Sequence, residues 1–219
     1  KAIDKTDDFK IDLSQVSLTQ RQITDFGYDP KYNENLKEFK ISSEFIILSA
    51  GGKTYPTLGS NGTGYQLASS LGHTVIPPVP SALPLVSQNN LCKKLSGQKM
   101  DLLATSFING VKIKESFDDV MFTDYGLSGP AILNLSRDIS IDINRNNNNN
   151  SFVRINFLVD SEGIPRTAKW FNQRFSKTKS IYKSLLGILP NKICEVLDSI
   201  FKLESANPEI LYQKLSNVE

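Results

Sequence analysis

The sequence predicts an α+β chain, and three stretches carry that expectation. An apolar run, Phe45-Ile46-Ile47-Leu48, ends in Gly51-Gly52 and leads through a glycine-dotted loop into a helical pattern at 62–71. "LATSFINGVKIKES" alternates about Asn109-Gly110, the signature of a hairpin with a tight turn. From Thr167 onward, apolar residues return at helical spacing. With 219 residues, the chain can bury the core of one large domain or two small ones.

Taken in order, Phe9, Ile11 and Leu13 alternate with polar neighbours, which predicts a half-buried strand over 7–13, and a further strand is expected near 39–41. The run at 45–48 has no alternation and two β-branched residues, as in a strand covered on both faces. Glycine straight after such a strand has two uses: it allows positive φ, and it lets another group approach bare main chain. In open α/β sheets that carboxyl end is where ligands bind. Tyr65, Leu67, Ala68 and Leu71 then define a short helix, with Gly72 as its C-terminal stop. "TVIPPVPSALPL" carries four prolines and predicts a stiff extended connector. The asparagine run at 146–150 reads as a solvated loop between strands. Later, "KSLLGILP" stops at Pro190, and Asn191 is expected to cap a helix whose apolar face is Ile193, Val196, Leu197, Ile200 and Phe201. Asn207, Pro208 and Glu209 form a second helix start.

The totals exclude more than they assign. Twenty-five basic against twenty-three acidic residues leave a formal charge of +2, which gives no global pull toward nucleic acid or a membrane surface. No apolar stretch reaches the ~20 residues of a membrane span, so a soluble, cytoplasmic protein is expected. Cys92 and Cys194 lie far apart without metal-like spacing and are expected as reduced thiols. A single histidine, His73, argues against a His-based metal site or triad; it follows a helix end, where a cation suits the dipole. The chain opens at Lys1 in a strand-like pattern, which reads as a piece of a longer protein.

Between Arg166 and Lys192 stand seven basic residues and no acidic one, interleaved with Trp170, Phe171, Phe175 and Tyr182. A solvated helical face is the plainer reading; phosphate contact with nucleic acid, or a surface for a protein or substrate, stays open beside it. In "GLSGP", Ser128 has no histidine nearby and no nucleophile elbow, so a tight turn is expected rather than covalent catalysis.

"ILSAGGKTYPTLGSNGTGYQLASSLGH" resembles the "ATGG-SYP-TGS-GDGY-A--LGH" signature of the YhiN/BaiN-like flavoproteins, an NAD(P)/FAD-dependent oxidoreductase family. "PPVPSALPL" is similar to that family's "PALVPL" crossover, and "FTDYGLSGPAILNLS" to its "FTHYGLSGPAIL-LS". The resemblance implies a partial Rossmann-like FAD-binding domain at 1–78, an inserted β-rich module at 79–160 and a helical part of the insertion at 161–219. On this pattern the turn at "GLSGP" brings the insertion back toward the flavin domain. It implies FAD as cofactor, with NAD(P)H as a possible donor and a small molecule as substrate. The FAD-side residues would be Ala50, Gly51, Gly52, Lys53, Tyr55, Gly59, Ser60, Gly62 and Gly64. The family's N-terminal G-x-G-x-x-G turn and C-terminal flavin-closing segment are not in these 219 residues, so the piece alone is expected to be inactive. Departures are also visible. Asp124 stands where the motif usually has histidine, Asp118-Asp119 replaces Gly-Glu, and Ser49-Ala50 replaces Ala-Thr. Any proton transfer credited to that histidine has no imidazole here. The alternative reading is an RNA- or protein-binding module that uses the basic segment at 166–192, with the flavin fold structural.

Overall fold

The computed structural model describes residues 45, 47–202 and 207–219. The strands expected at 7–13 and 39–41 lie outside them. The chain divides into two compact units, Lys1–Pro78 and Val79–Glu219.

In the first unit, a single turn of 3-10 helix at Pro56–Leu58 precedes helix α1, Thr63–Ser70. The expected stop is present as a paired cap: His73 N–H bonds to the Ala68 carbonyl and Gly72 N–H to that of Ser69, with Gly72 at φ +83°. The doubly covered strand at 45–48 is corrected. Phe45 is 83% and Ile47 90% exposed, and neither is in a strand. A run of this kind becomes a buried strand only when neighbouring strands pair with it, and among the described residues none does.

The second unit joins a curled antiparallel sheet to a helical half. Its elements run β1 (Leu85–Val86), α2 (Asn90–Lys94), β2 (Lys99–Ile108), β3 (Val111–Phe122), β4 (Gly126–Ser128), α3 (Pro130–Asn146) and β5 (Ser151–Asn156). Helices α4 (Ala168–Thr178), α5 (Ile181–Leu185), α6 (Asn191–Phe201) and α7 (Pro208–Ser216) follow. The sheet order is β1-β4-β3-β2-β5. As the sequence predicts, Asn109 and Gly110 turn the β2–β3 hairpin, both at positive φ. Val218 then pairs with Ile155 on the outer side of β5. A flat sheet would hold β1 and this tail about 24 Å apart, five strand spacings. Instead, the Asn89 side-chain amide donates to the main-chain oxygen of Glu219. The sheet therefore curls into a partial barrel.

Alternation sorts the sheet's two faces. Leu102, Ala104 and Ile155 point to one side, where they are buried with Ala131, Ile132 and Leu135 of α3. The same core continues through Phe157, stacked on Phe122 at 6.0 Å, into Phe171, Leu185, Ile193, Leu197, Leu211 and Leu215 of the helical half. Of the expected helix starts, Asn207 accepts from the N–H groups of Glu209 and Ile210. Asn191 does not cap: Pro190 occupies that position and Asn191 is the first helical residue.

The asparagine run is also corrected. It joins α3 to β5 rather than two strands; most of it is exposed, as expected, and the side chains of Asn146, Asn148 and Asn150 are bonded. Asn148 and Asn150 both donate to the Asn109 side chain, and Asn146 and Ser151 donate to the Asp142 carboxylate. Asp142 is buried. Burial alone would raise its pKa, but the hydrogen bonds from Ser151, Asn146 and Asn148 outweigh it and hold the carboxyl below its ordinary range.

Candidate functional site

All nine residues expected on the cofactor side lie in the first unit: Ala50 to Lys53 on one loop, Tyr55 just before the 3-10 turn, Gly59 to Gly62 on a second loop ahead of α1, and Gly64 in the first turn of α1. Gly62, at φ +82°, holds its bare main chain where a Cβ would lie 3.4 Å from Lys53 Cγ. Gly64 is buried, and a Cβ there would lie 3.2 Å from that of Ala50. These two glycines therefore serve close packing of loop on loop. Gly51 and Gly59 differ: both are exposed at positive φ, and a Cβ on Gly59 would meet nothing within 4 Å. Tyr55, also at positive φ, is exposed beside them, while Ser60 and Gly52 are half-buried. The site is thus part internal joint and part open main chain. The open part fits the approach of a planar or phosphate-bearing group, since no Cβ stands in the way.

In the second unit, "TDYGLSGP" builds a rigid projection. Thr123 N–H and Oγ1 both donate to the Gly126 carbonyl, and Gly126 N–H donates back to Thr123 Oγ1. Asp124 and Tyr125 are carried on the tip, both exposed. A Cβ on Gly126 would lie 2.1 Å from the Leu85 carbonyl, and one on Gly129 2.5 Å from that of Asp119. Both glycines are close-approach points that seat β1 and α3 against the sheet. That is the tight turn expected from the sequence.

A cleft of about 480 Å³ opens where the sheet meets the helical half, lined by Asp101, Phe117, Asp119, Asp160, Arg166 and Ile188 among others. Phe117, on its wall, is packed from behind by the turn at Gly163, where a Cβ would lie 2.4 Å from the ring. Asp160 closes that turn by accepting from the N–H groups of Glu162 and Ile164. Those bonds, with Arg166 nearby, hold its carboxyl below the ordinary range. Arg166 donates to the Val159 carbonyl and stacks over Trp170 at 4.3 Å. No group of residues suited to a metal ion occurs among the described residues.

Sequence reasoning missed this Arg-Trp stack. Part of the signal was present, because Trp170 and Arg174 are four residues apart and share one side of α4, while Arg166 stands just ahead of that helix.

A family model described as "HI0933-like protein barrel and H2TH domain" matches residues 79–219, almost two thirds of the chain. The chain belongs to this family. The resemblance drawn from the sequence motifs is thereby borne out, and the HI0933-like barrel corresponds to the curled sheet described above. Among curated proteins, the chain is 30% identical to a "3-dehydro-bile acid delta(4,6)-reductase" of Clostridium scindens, over 70% of this chain and 37% of that protein. It is 29% identical to a "Ribosomal RNA dihydrouridine synthase" of Haemophilus influenzae, over 69% of this chain and 35% of that protein. A protein of the same description from Escherichia coli is 26% identical over 93% of this chain and 46% of its own length. The chain thus spans between about a third and a half of these relatives. No helix among the described residues is long and apolar enough to cross a membrane.

Proposed function

We propose that this chain is the central part of a cytoplasmic FAD-dependent oxidoreductase, in which NAD(P)H supplies electrons to a flavin and the flavin passes them to an acceptor. The observation that carries the reading is family membership over 79–219 together with the reductase relative. Residues 1–78 would be a portion of a Rossmann-like FAD domain, 79–160 its β-rich insertion and 161–219 the helical part. Bound FAD would supply the two-electron chemistry. The exposed main chain of Gly51 and Gly59 would lie along it, while Gly62 and Gly64 hold the two loops together. The relatives' names support an acceptor with a ring carbon–carbon double bond: one is a reductase, and dihydrouridine differs from uridine by two hydrogens across such a bond.

The test is the absorbance of the longer parent protein. It is expected to purify yellow, to bleach anaerobically with NADH or NADPH, and to lose flavin when Gly51 is replaced by valine. A colourless parent that takes up no added FAD refutes the reading.

A second reading concerns the acceptor. Two relatives are named for ribosomal RNA, and the lysines of the helical half are exposed. Both observations favour RNA over a free small molecule. Salt-sensitive RNA binding by the parent, stronger than that of a control protein of similar charge, is the expected outcome. Binding no stronger than the control removes this reading and leaves the oxidoreductase untouched.

A further inference from the structure

We propose that the cleft between the sheet and the helical half binds a small organic cation, an ammonium or guanidinium group on a short apolar stem. Asp101 and Asp119 face the charge, and Phe117, Val159, Ile188 and Leu189 take the stem. This site is independent of both readings above, because it uses neither the flavin side nor the exposed lysines.

The charge of the lining selects a cation. Asp101 and Asp119 are direct cross-strand partners in the β2–β3 hairpin, so their side chains stand side by side on one face. Like charges in that arrangement destabilise a sheet. The fold leaves most of the repulsion in place. Asp101 makes no hydrogen bond or ion pair through its side chain among the described residues. Asp119 lies 3.2 Å from the Lys99 ammonium, but that lysine is 63% exposed, and such a surface pair contributes little. Asp160 and Arg166, which also line the cleft, already act on each other, and the guanidinium helps to hold the Asp160 carboxyl below its ordinary range. Three carboxylates therefore stand against one guanidinium, with the uncompensated charge on the sheet side. A cation between Asp101 and Asp119 replaces their repulsion with attraction to both.

Size and lining favour an organic cation over a metal ion. The volume of about 480 Å³ falls in the range of small-molecule sites and far exceeds what a bare ion fills. Phe117, Val159, Ile188 and Leu189 offer apolar surface against which an alkyl stem gains affinity by leaving water. A phosphate would meet the same three carboxylates, so this lining turns away a nucleic-acid backbone.

The walls are set before any ligand arrives. The turn at Gly163 packs behind Phe117, and Asp160 fixes that turn through the N–H groups of Glu162 and Ile164. Ile188 and Leu189 belong to the connection between α5 and α6, which Arg174 anchors by donating to the carbonyls of Ser184 and Leu186. Little ordering is left to be done on binding.

Isothermal titration calorimetry of the intact chain tests the site, with N-butylguanidinium as the probe and uncharged N-butylurea as its neutral match. The guanidinium is expected to bind saturably at a single site, and the urea about tenfold more weakly or worse, as for the loss of a charged hydrogen bond. Asp101→Asn keeps the size of the side chain and removes its charge. It is expected to weaken guanidinium binding about tenfold while Tm holds or rises, because the like-charge pair is gone. Asp118→Asn changes an exposed carboxylate on the other face of the same hairpin and is expected to leave the affinity unchanged. Absence of saturable guanidinium binding, equal binding of the urea, or wild-type affinity in a folded Asp101→Asn variant overturns the proposal.

Discussion

Replacing Gly129 by alanine tests whether the glycines of "GLSGP" are structural. Gly129 sits at φ +95° and ψ 164°, a region that residues with a side chain essentially never occupy. That strain costs about 1–3 kcal/mol. A Cβ would also lie 2.5 Å from the Asp119 carbonyl and 3.0 Å from Met121 N, both main chain in the sheet, so neither can swing aside. Forcing a methyl group into packed surroundings adds about 1–3 kcal/mol. The combined loss of about 2–6 kcal/mol is large against the 5–15 kcal/mol typical of a domain. It falls on the start of α3, which brings Ala131, Ile132 and Leu135 into the core. Urea unfolding followed by tryptophan fluorescence reports on this unit alone, because Trp170 is the only tryptophan. The control is Gly187→Ala, at φ +75° with nothing within 4 Å, which should cost only about 1–2 kcal/mol. A Gly129→Ala loss no larger than the control's would refute the close-approach argument.

Other outcomes follow from the same structure. Asp142 and Asp160 have depressed carboxyl pKa values, so their contribution is present above the unfolded-state pKa and is lost as pH falls through the folded one. Tm should therefore hold steady above about pH 5 and drop below about pH 4, with a shallower acid limb in Asp142→Asn; an identical limb would count against the hydrogen-bonded carboxylate. Burial raises the thiol pKa of both Cys92 and Cys194, so a thiol reagent should label neither rapidly in the folded chain and both in denaturant. Rapid labelling of either in native buffer would contradict its placement. Asn207→Ala should cost about 1 kcal/mol by leaving the N–H groups of Glu209 and Ile210 without their acceptor. Equal unfolding midpoints would show that the cap contributes nothing.

The sequence alone determined what depends on neighbours along the chain. Asn109-Gly110 specified its turn because both residues tolerate positive φ, and Asn207 specified its cap because the groups it satisfies are two and three residues away. The motifs at 47–73 and 122–136 were likewise legible as local strings, and with them the family. What failed was decided over distance. Phe45-Ile46-Ile47-Leu48 has the composition of a buried strand, yet burial requires partners that no local pattern supplies, and Ile47 is exposed. Helix α3 went unread because Ile139, Ile141 and Ile143 alternate as a strand would; Pro130 after Gly129, and Ile132, Leu135 and Ile139 at helical spacing, were the competing signal. Only the folded chain divided the basic segment, by setting Arg166 and Arg174 against carbonyls and an indole while leaving five lysines in solvent. Charge is written in the sequence, but whether a charge is spent inside the molecule or offered to a partner depends on what the fold places beside it.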